Sequence, residues 1–197
     1  EREDGGKDGG KWASPMGGKM GFAHGGEAEP GYFVKLDREI ELGGLGKGYA
    51  IDKMAGCLSG IENFSINAGG DIFAKGRDFE GKIWRFLFEH PTDIEQAIGF
   101  VEVDGFALAC SSPTKRKWKD KHHLVDPVAG VPASGMLAIY VQAPTALVAD
   151  SYATALFVLG FEKAKKLVGG LSLEAMMVAP NGEIYRTPGF NGELFLG

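Results

Sequence analysis

The chain has 197 residues, 44% hydrophobic and 24% charged, enough apolar material for one packed domain and too much for wholesale disorder. Its 21 Lys/Arg against 26 Asp/Glu give a formal charge of −5, which argues against nucleic acid as the main partner, since no net positive field exists to collect phosphates. No apolar run approaches the roughly 18 residues needed to span a bilayer, no basic-then-apolar leader is visible, and Cys57 and Cys110 are too few for a disulfide scaffold.

Ten of the 31 glycines fall in residues 1–31, which lack any sustained apolar period and are expected to form a flexible segment; residues 32–197 are expected to form a single domain. Short strands are predicted at Tyr32–Leu36 and Glu39–Leu42, around a turn at Asp37-Arg38. Tyr49, Ile51, Met54, Ala55 and Leu58 recur at helical spacing, predicting a helix over Lys47–Leu58. Strands follow at Phe64–Asn67, Ile72–Ala74, Ile83–Glu89, Phe100–Val103, Phe106–Cys110, His122–Val125 and Leu137–Val141. The clearest helix is Thr145–Leu159, stopped by Gly160, and a short one at Glu162–Val168 comes next, before strands near Leu173–Val178 and Glu183–Tyr185. Helices and strands do not alternate regularly, so the expected class is α+β, with a mixed or antiparallel sheet and a few helices.

Four segments carry chemistry. In ELGGLGKGYAID, glycines 43, 44, 46 and 48 surround Lys47 at the predicted helix start, an arrangement that suits a phosphate or, equally, a plain glycine-rich turn. It is not a Walker A loop, because Gly48 follows the lysine. SINAGGDI runs a strand into Gly69-Gly70 and presents Asn67 and Asp71, either to a ligand or only to the turn itself. In KHHLVDPVAGVP, His123 is a natural proton acceptor near neutral pH, although residues three apart on a strand, such as His123 and Asp126, face opposite ways. In ALVADSYATALFVLG, Asp150 and Thr154 share a helix face. A carboxylate in so apolar a helix needs a cation or strong donors, and with the hydroxyl one turn on it offers hard oxygens of the kind Mg²⁺ takes. The alternative is that Asp150 caps a neighbouring element.

In this order, LGGLGKGYAID, INAGGDI, HHLVDPVAGVP and ADSYATALFVLG resemble the ApbE-type FAD:protein FMN transferases, over roughly Phe33 to Val178. The resemblance implies a T-fold-like α+β architecture. It also implies Mg²⁺-dependent cleavage of FAD, passage of FMN to a threonine hydroxyl of an acceptor protein, and release of AMP. Asp150, Thr154 and the main-chain carbonyl of Gly44 would hold the metal. Lys47 would lie near the phosphates and assist catalysis, and His123 would take the threonine proton. Asp52, Asn67, Gly70, Asp71 and Ser111, with the stretch His123, Leu124 and Asp126, would bind the nucleotide. Family members are commonly exported to the bacterial periplasm or cell envelope, often as lipoproteins, and usually run to about 300 residues, so the chain is expected to be a compact variant or a fragment. Two positions depart from the family pattern: Cys110-Ser111-Ser112 stands for Thr-Ser-Gly, and Ala129 for the threonine of DPxTG. Other outcomes of the same pocket would be FAD storage without catalysis or hydrolysis of FAD to FMN and AMP.

Overall fold

The apolar run Leu137–Val141 explains the architecture. In the computed structural model, which describes residues 42–195 apart from 94, 115, 116, 119 and 120, every residue of strand β10 (Ala138–Ala143) is buried. Side chains alternate faces along a strand, so a strand buried throughout must have a layer on each side. Ile139 and Val141 point into a core shared with the helices, and Ala138 and Tyr140 into one shared with a second sheet. The result is three layers.

Helix α1 (Gly43–Cys57) precedes the hairpin of β1 (Phe64–Ala68) and β2 (Asp71–Lys75). Then come β3 (Trp84–Glu89), β4 (Ala97–Val103) and β5 (Phe106–Ser111), and four two-residue strands: β6 (Lys117–Trp118), β7 (Lys121–His122), β8 (Val125–Asp126) and β9 (Val131–Pro132). After β10 follow α2 (Ala146–Leu159), α3 (Phe161–Val168), β11 (Glu174–Val178), β12 (Ile184–Arg186) and β13 (Glu193–Leu194). The central sheet has the order β1-β2-β5-β10-β11-β12, and every pairing in it is antiparallel. The second sheet, β13-β4-β3, places Phe88, Val101 and Val103 against Leu108, Tyr140 and Met176 of the central one. The class is α+β, as expected.

Helix α2 starts where the sequence placed it. Thr145 is its N-cap, accepting the Val148 N–H at 3.3 Å, and Gly160 ends it at φ +78°, a conformation that L side chains rarely adopt. Helix α1 departs from expectation. It begins at Gly43, so the glycines are part of its first turns instead of a loop before it. Of the apolar positions thought to face the core, Ile51 is fully buried while Tyr49 and Met54 are exposed, because α1 lies on α2 along the line Gly44, Gly48, Ile51. Cys57, the last residue of α1, is exposed for the same reason. The strand predicted at 122–125 breaks into β7 and β8, since Leu124 between them turns into the helical core. The Gly-rich segment and the strand predicted at Tyr32–Leu36 lie outside the described residues, and so does the strand predicted at Glu39–Leu42 apart from Leu42.

Candidate functional site at the crossing of α1 and α2

Positions 44, 47, 48, 51 and 52 share one face of a helix, and on α1 that face meets α2. A Cβ on Gly48 would lie 2.3 Å from the Ala146 carbonyl oxygen, so only glycine lets the two backbones approach this closely. Four residues earlier, Gly44 packs directly on Thr154, where a Cβ would meet Oγ1 at 3.1 Å. Asp52 lies at the other end of the crossing. Its two carboxylate oxygens accept the N–H groups of Ala146 (2.8 Å) and Leu147 (2.9 Å), the unpaired donors of the α2 start. Asp52, expected to bind nucleotide, is thus held as a cap that locks α2 to α1, with both oxygens engaged.

Between those ends sits a buried ionic cluster. Asp150 is 3% exposed and Asp71 is 1% exposed, and the Lys47 ammonium bridges them: it donates to Asp71 Oδ2 and, at 3.2 Å, to Asp150 Oδ1. The Gly48 N–H donates to Asp150 Oδ2 at 2.9 Å, and the Cys110 N–H to Asp71 Oδ1 at 3.3 Å. The apolar environment of Asp150 is therefore compensated by one cation and one helix amide, as burial of a carboxylate requires. Burial is the largest influence on Asp71 and pushes its pKa up to about 6; Lys47 pulls it back, and the neighbouring Asp150 charge adds to the rise. Burial alone would lower Lys47, but its pairing with Asp71 and then Asp150 outweighs this, leaving the ammonium above its ordinary range.

One turn beyond Asp150, the Thr154 hydroxyl lies 3.4 Å from the Ser111 hydroxyl at the end of β5. Asp150, Thr154, Ser111 and the backbone at Gly44 thus bring hard oxygen donors together from three elements. That chemistry fits a hard divalent cation. Among the described residues each Asp150 oxygen carries a single N–H donor, and a carboxylate oxygen can accept more. Among the described residues no group of three His, Cys, Asp or Glu forms a metal cluster, so a cation here would rely on hydroxyl and carbonyl oxygens beside one carboxylate.

The other candidate residues are placed differently. The Asn67 side chain accepts the Gly70 N–H at 3.0 Å and shapes the β1–β2 turn, whose Gly69 (φ +68°) and Gly70 (φ +107°) need the left-handed region. The consequence for the site is that β2 opens on Asp71. In the other motif, the His122 ring is held through both of its nitrogens. Its Nε2 lies 3.0 Å from the Ala133 carbonyl, its Nδ1 accepts the Leu124 N–H at 3.2 Å, and its ring stands edge-on to Phe157. His123 is exposed, and the Leu124 side chain is buried in the helical core. Asp126 Oδ1 accepts the N–H groups of Val128 (2.8 Å) and Ala129 (3.2 Å), and these bonds hold its carboxyl below the usual range. Because this turn uses only the backbone of Ala129, the missing threonine hydroxyl takes nothing from it.

Two contributors escaped the sequence reading. The Gly48 and Cys110 amides are main-chain donors, which no residue type announces. Gly44 and Gly48, one turn apart on α1, were a usable signal for Gly48, since small residues at helical spacing mark close helix contact.

A family model described as ApbE family matches residues 20–177. The FAD:protein FMN transferase of Klebsiella pneumoniae (strain 342) is 35% identical over 159 residues, covering 77% of this chain and 45% of that protein; its Escherichia coli (strain K12) counterpart is 33% identical over the same shares. The crystal structure of the ApbE protein from Thermotoga maritima superposes with a TM-score of 0.68 at 32% identity, over 76% of this chain and 52% of that one. Flavin transferase ApbE from Vibrio cholerae gives 0.69 at 26%, over 77% and 51%. The chain spans about half the length of the relatives it matches. By fold and by sequence it belongs to the ApbE family.

Proposed function

We propose that the chain forms the metal- and phosphate-binding part of an FAD:protein FMN transferase, moving FMN from FAD to a threonine hydroxyl of an acceptor protein and releasing AMP. The observation that carries this reading is the buried Asp150 at the α1–α2 crossing, with Thr154 one turn on and Gly44 and Ser111 against it. Asp150, Thr154 and the Gly44 carbonyl would hold Mg²⁺. The Gly48 N–H, one turn after that carbonyl, donates to Asp150 Oδ2 and so ties the first turns of α1 to the same carboxylate. Bound there, the metal would neutralise charge on the pyrophosphate during in-line displacement.

The chain's own groups supply the rest. Lys47 keeps a positive charge beside the phosphates, and Asp71 orients it from below through β2. Ser111 closes the seam from β5. His123, exposed next to the anchored His122, is assigned the proton of the threonine hydroxyl, a role worth typically 10²–10⁴-fold in rate. Asn67 and Gly70 act by shaping the turn that delivers Asp71, and Asp126 by holding the turn after Leu124. By the family resemblance the protein would work in the periplasm or cell envelope; no described helix is long and apolar enough to cross a membrane.

The test is incubation of the protein with FAD, with and without Mg²⁺, and an acceptor. Magnesium-dependent AMP release, with FMN attached to threonine and lost in Asp150→Ala, is the expected result. FMN appearing only in solution would indicate hydrolysis, and FAD retained intact would indicate binding alone. Full transfer by His123→Ala would remove the assigned base.

A further inference from the structure

The buried carboxylates outnumber the cation that joins them. Ionised Asp71 and Asp150 face the single ammonium of Lys47, which leaves one negative charge in excess in a place from which water is largely excluded. The donors on these two groups differ in how readily they can leave. Asp150 Oδ2 takes the Gly48 N–H and Asp71 Oδ1 the Cys110 N–H, both main-chain groups fixed within α1 and β5. Among the described residues, Asp150 Oδ1 takes only the Lys47 ammonium, at 3.2 Å. That ammonium ends a flexible side chain that is 32% exposed, and its contact with Asp71 Oδ2 is the tighter of the two.

An ammonium and a divalent cation on the same carboxylate oxygen repel each other, and burial strengthens the repulsion. Asp150 Oδ1 is therefore the oxygen that a metal would take only at the expense of Lys47, whereas Oδ2 stays with the helix amide. Asp71, buried and held by β5, offers the displaced ammonium a partner that the metal does not need. Resting on the reading that Asp150 and Thr154 hold the metal, we propose that Lys47 is the resident counter-ion of Asp150 and gives up Oδ1 when a divalent cation binds. Asp71 retains the released ammonium and is thus a positioning residue, setting the affinity for the cation without touching it. One hydrogen bond breaks in the exchange, and the incoming cation meets a carboxylate instead of a free ammonium.

The experiment is titration of the full chain with Mn²⁺, a hard divalent cation whose free form is read by electron paramagnetic resonance, without FAD and with Mg²⁺ as the displacing ion. D71N should weaken binding about tenfold, because Lys47 then keeps Asp150 as its one carboxylate, and K47M should tighten binding by about the same factor. In the K47M background, D71N should change binding less than about threefold. A side chain that merely supported the fold would weaken binding when removed, so tightening by K47M is the deciding sign. K47R keeps the charge and spans both carboxylates with its planar fork, so it should weaken binding. If circular dichroism shows K47M unfolded, D71N and K47R decide. Unchanged or weaker binding by folded K47M, unchanged binding by D71N or K47R, or an equal effect of D71N with and without Lys47 would overturn the exchange. Should D150A still abolish binding in that case, the metal reading would stand alone; no binding by the wild type, or full binding by D150A, would remove both.

Discussion

The α1–α2 crossing and the segment 121–132 each looked like a chemical site in sequence, and they fold in opposite ways. At the crossing, residues far apart in the chain converge: Lys47 meets Asp71 and Asp150, and Thr154 meets Gly44 and Ser111. In 121–132 the polar groups turn mostly to their own neighbourhood, with His122 on Leu124 and Ala133, and Asp126 on Val128 and Ala129. The difference follows from burial. A carboxylate between two helices must import its partners across the core, whereas one on an exposed turn satisfies itself with amides two and three residues away.

Perturbing the crossing should therefore cost far more than perturbing the segment 121–132. The largest effect is expected for Gly48→Ala, whose methyl would collide with the Ala146 backbone; urea denaturation should show a loss of about 3 kcal/mol or more. A loss under ~1 kcal/mol would mean that the helices do not approach so closely. Lys47→Met strands two buried carboxylates, so about 3 kcal/mol should go at neutral pH, at the lower end of the range for broken buried pairs because Lys47 is partly exposed. Acidifying should shrink that penalty as Asp71 takes up a proton.

A smaller effect sharpens the electrostatic part. Asp71 is pushed up to about 6 from an ordinary value of 3.8. Between those values the folded chain keeps a proton that the unfolded chain has released, so stability should fall as pH rises through this window and level off above it. The drop should be about 3 kcal/mol, and Asp71→Asn should flatten it. A wild-type profile already flat over this range would refute the assignment. At the bottom of the scale, Asp126→Asn keeps the acceptor oxygen of its turn, and the melting temperature should stay unchanged. A clear fall in melting temperature would show that the charge itself holds the turn.

Several elements were legible from local sequence because their causes are local. Thr145 and Gly160 bracket α2, and the Gly69-Gly70 pair makes the β1–β2 turn. The apolar run Leu137–Val141 marked the strand β10, and its burial on both faces became visible only in the fold. The start of α1 was misplaced because its glycines, poor helix formers, are retained there for the approach to α2, which a local reading cannot see. Asp150 and Thr154 could be placed on one helix face from their spacing alone, and Asp150 marked as a carboxylate in need of a cation. Only tertiary structure decided that the cation is Lys47, that Asp71 shares it, and that Asp52 is occupied in capping α2. That His122 would be the histidine reaching the Ala133 carbonyl and the Phe157 ring was likewise beyond spacing. Periodicity and turn chemistry act over a few residues and are written in the chain. The pairing of buried charges acts across space and exists only once the helices cross.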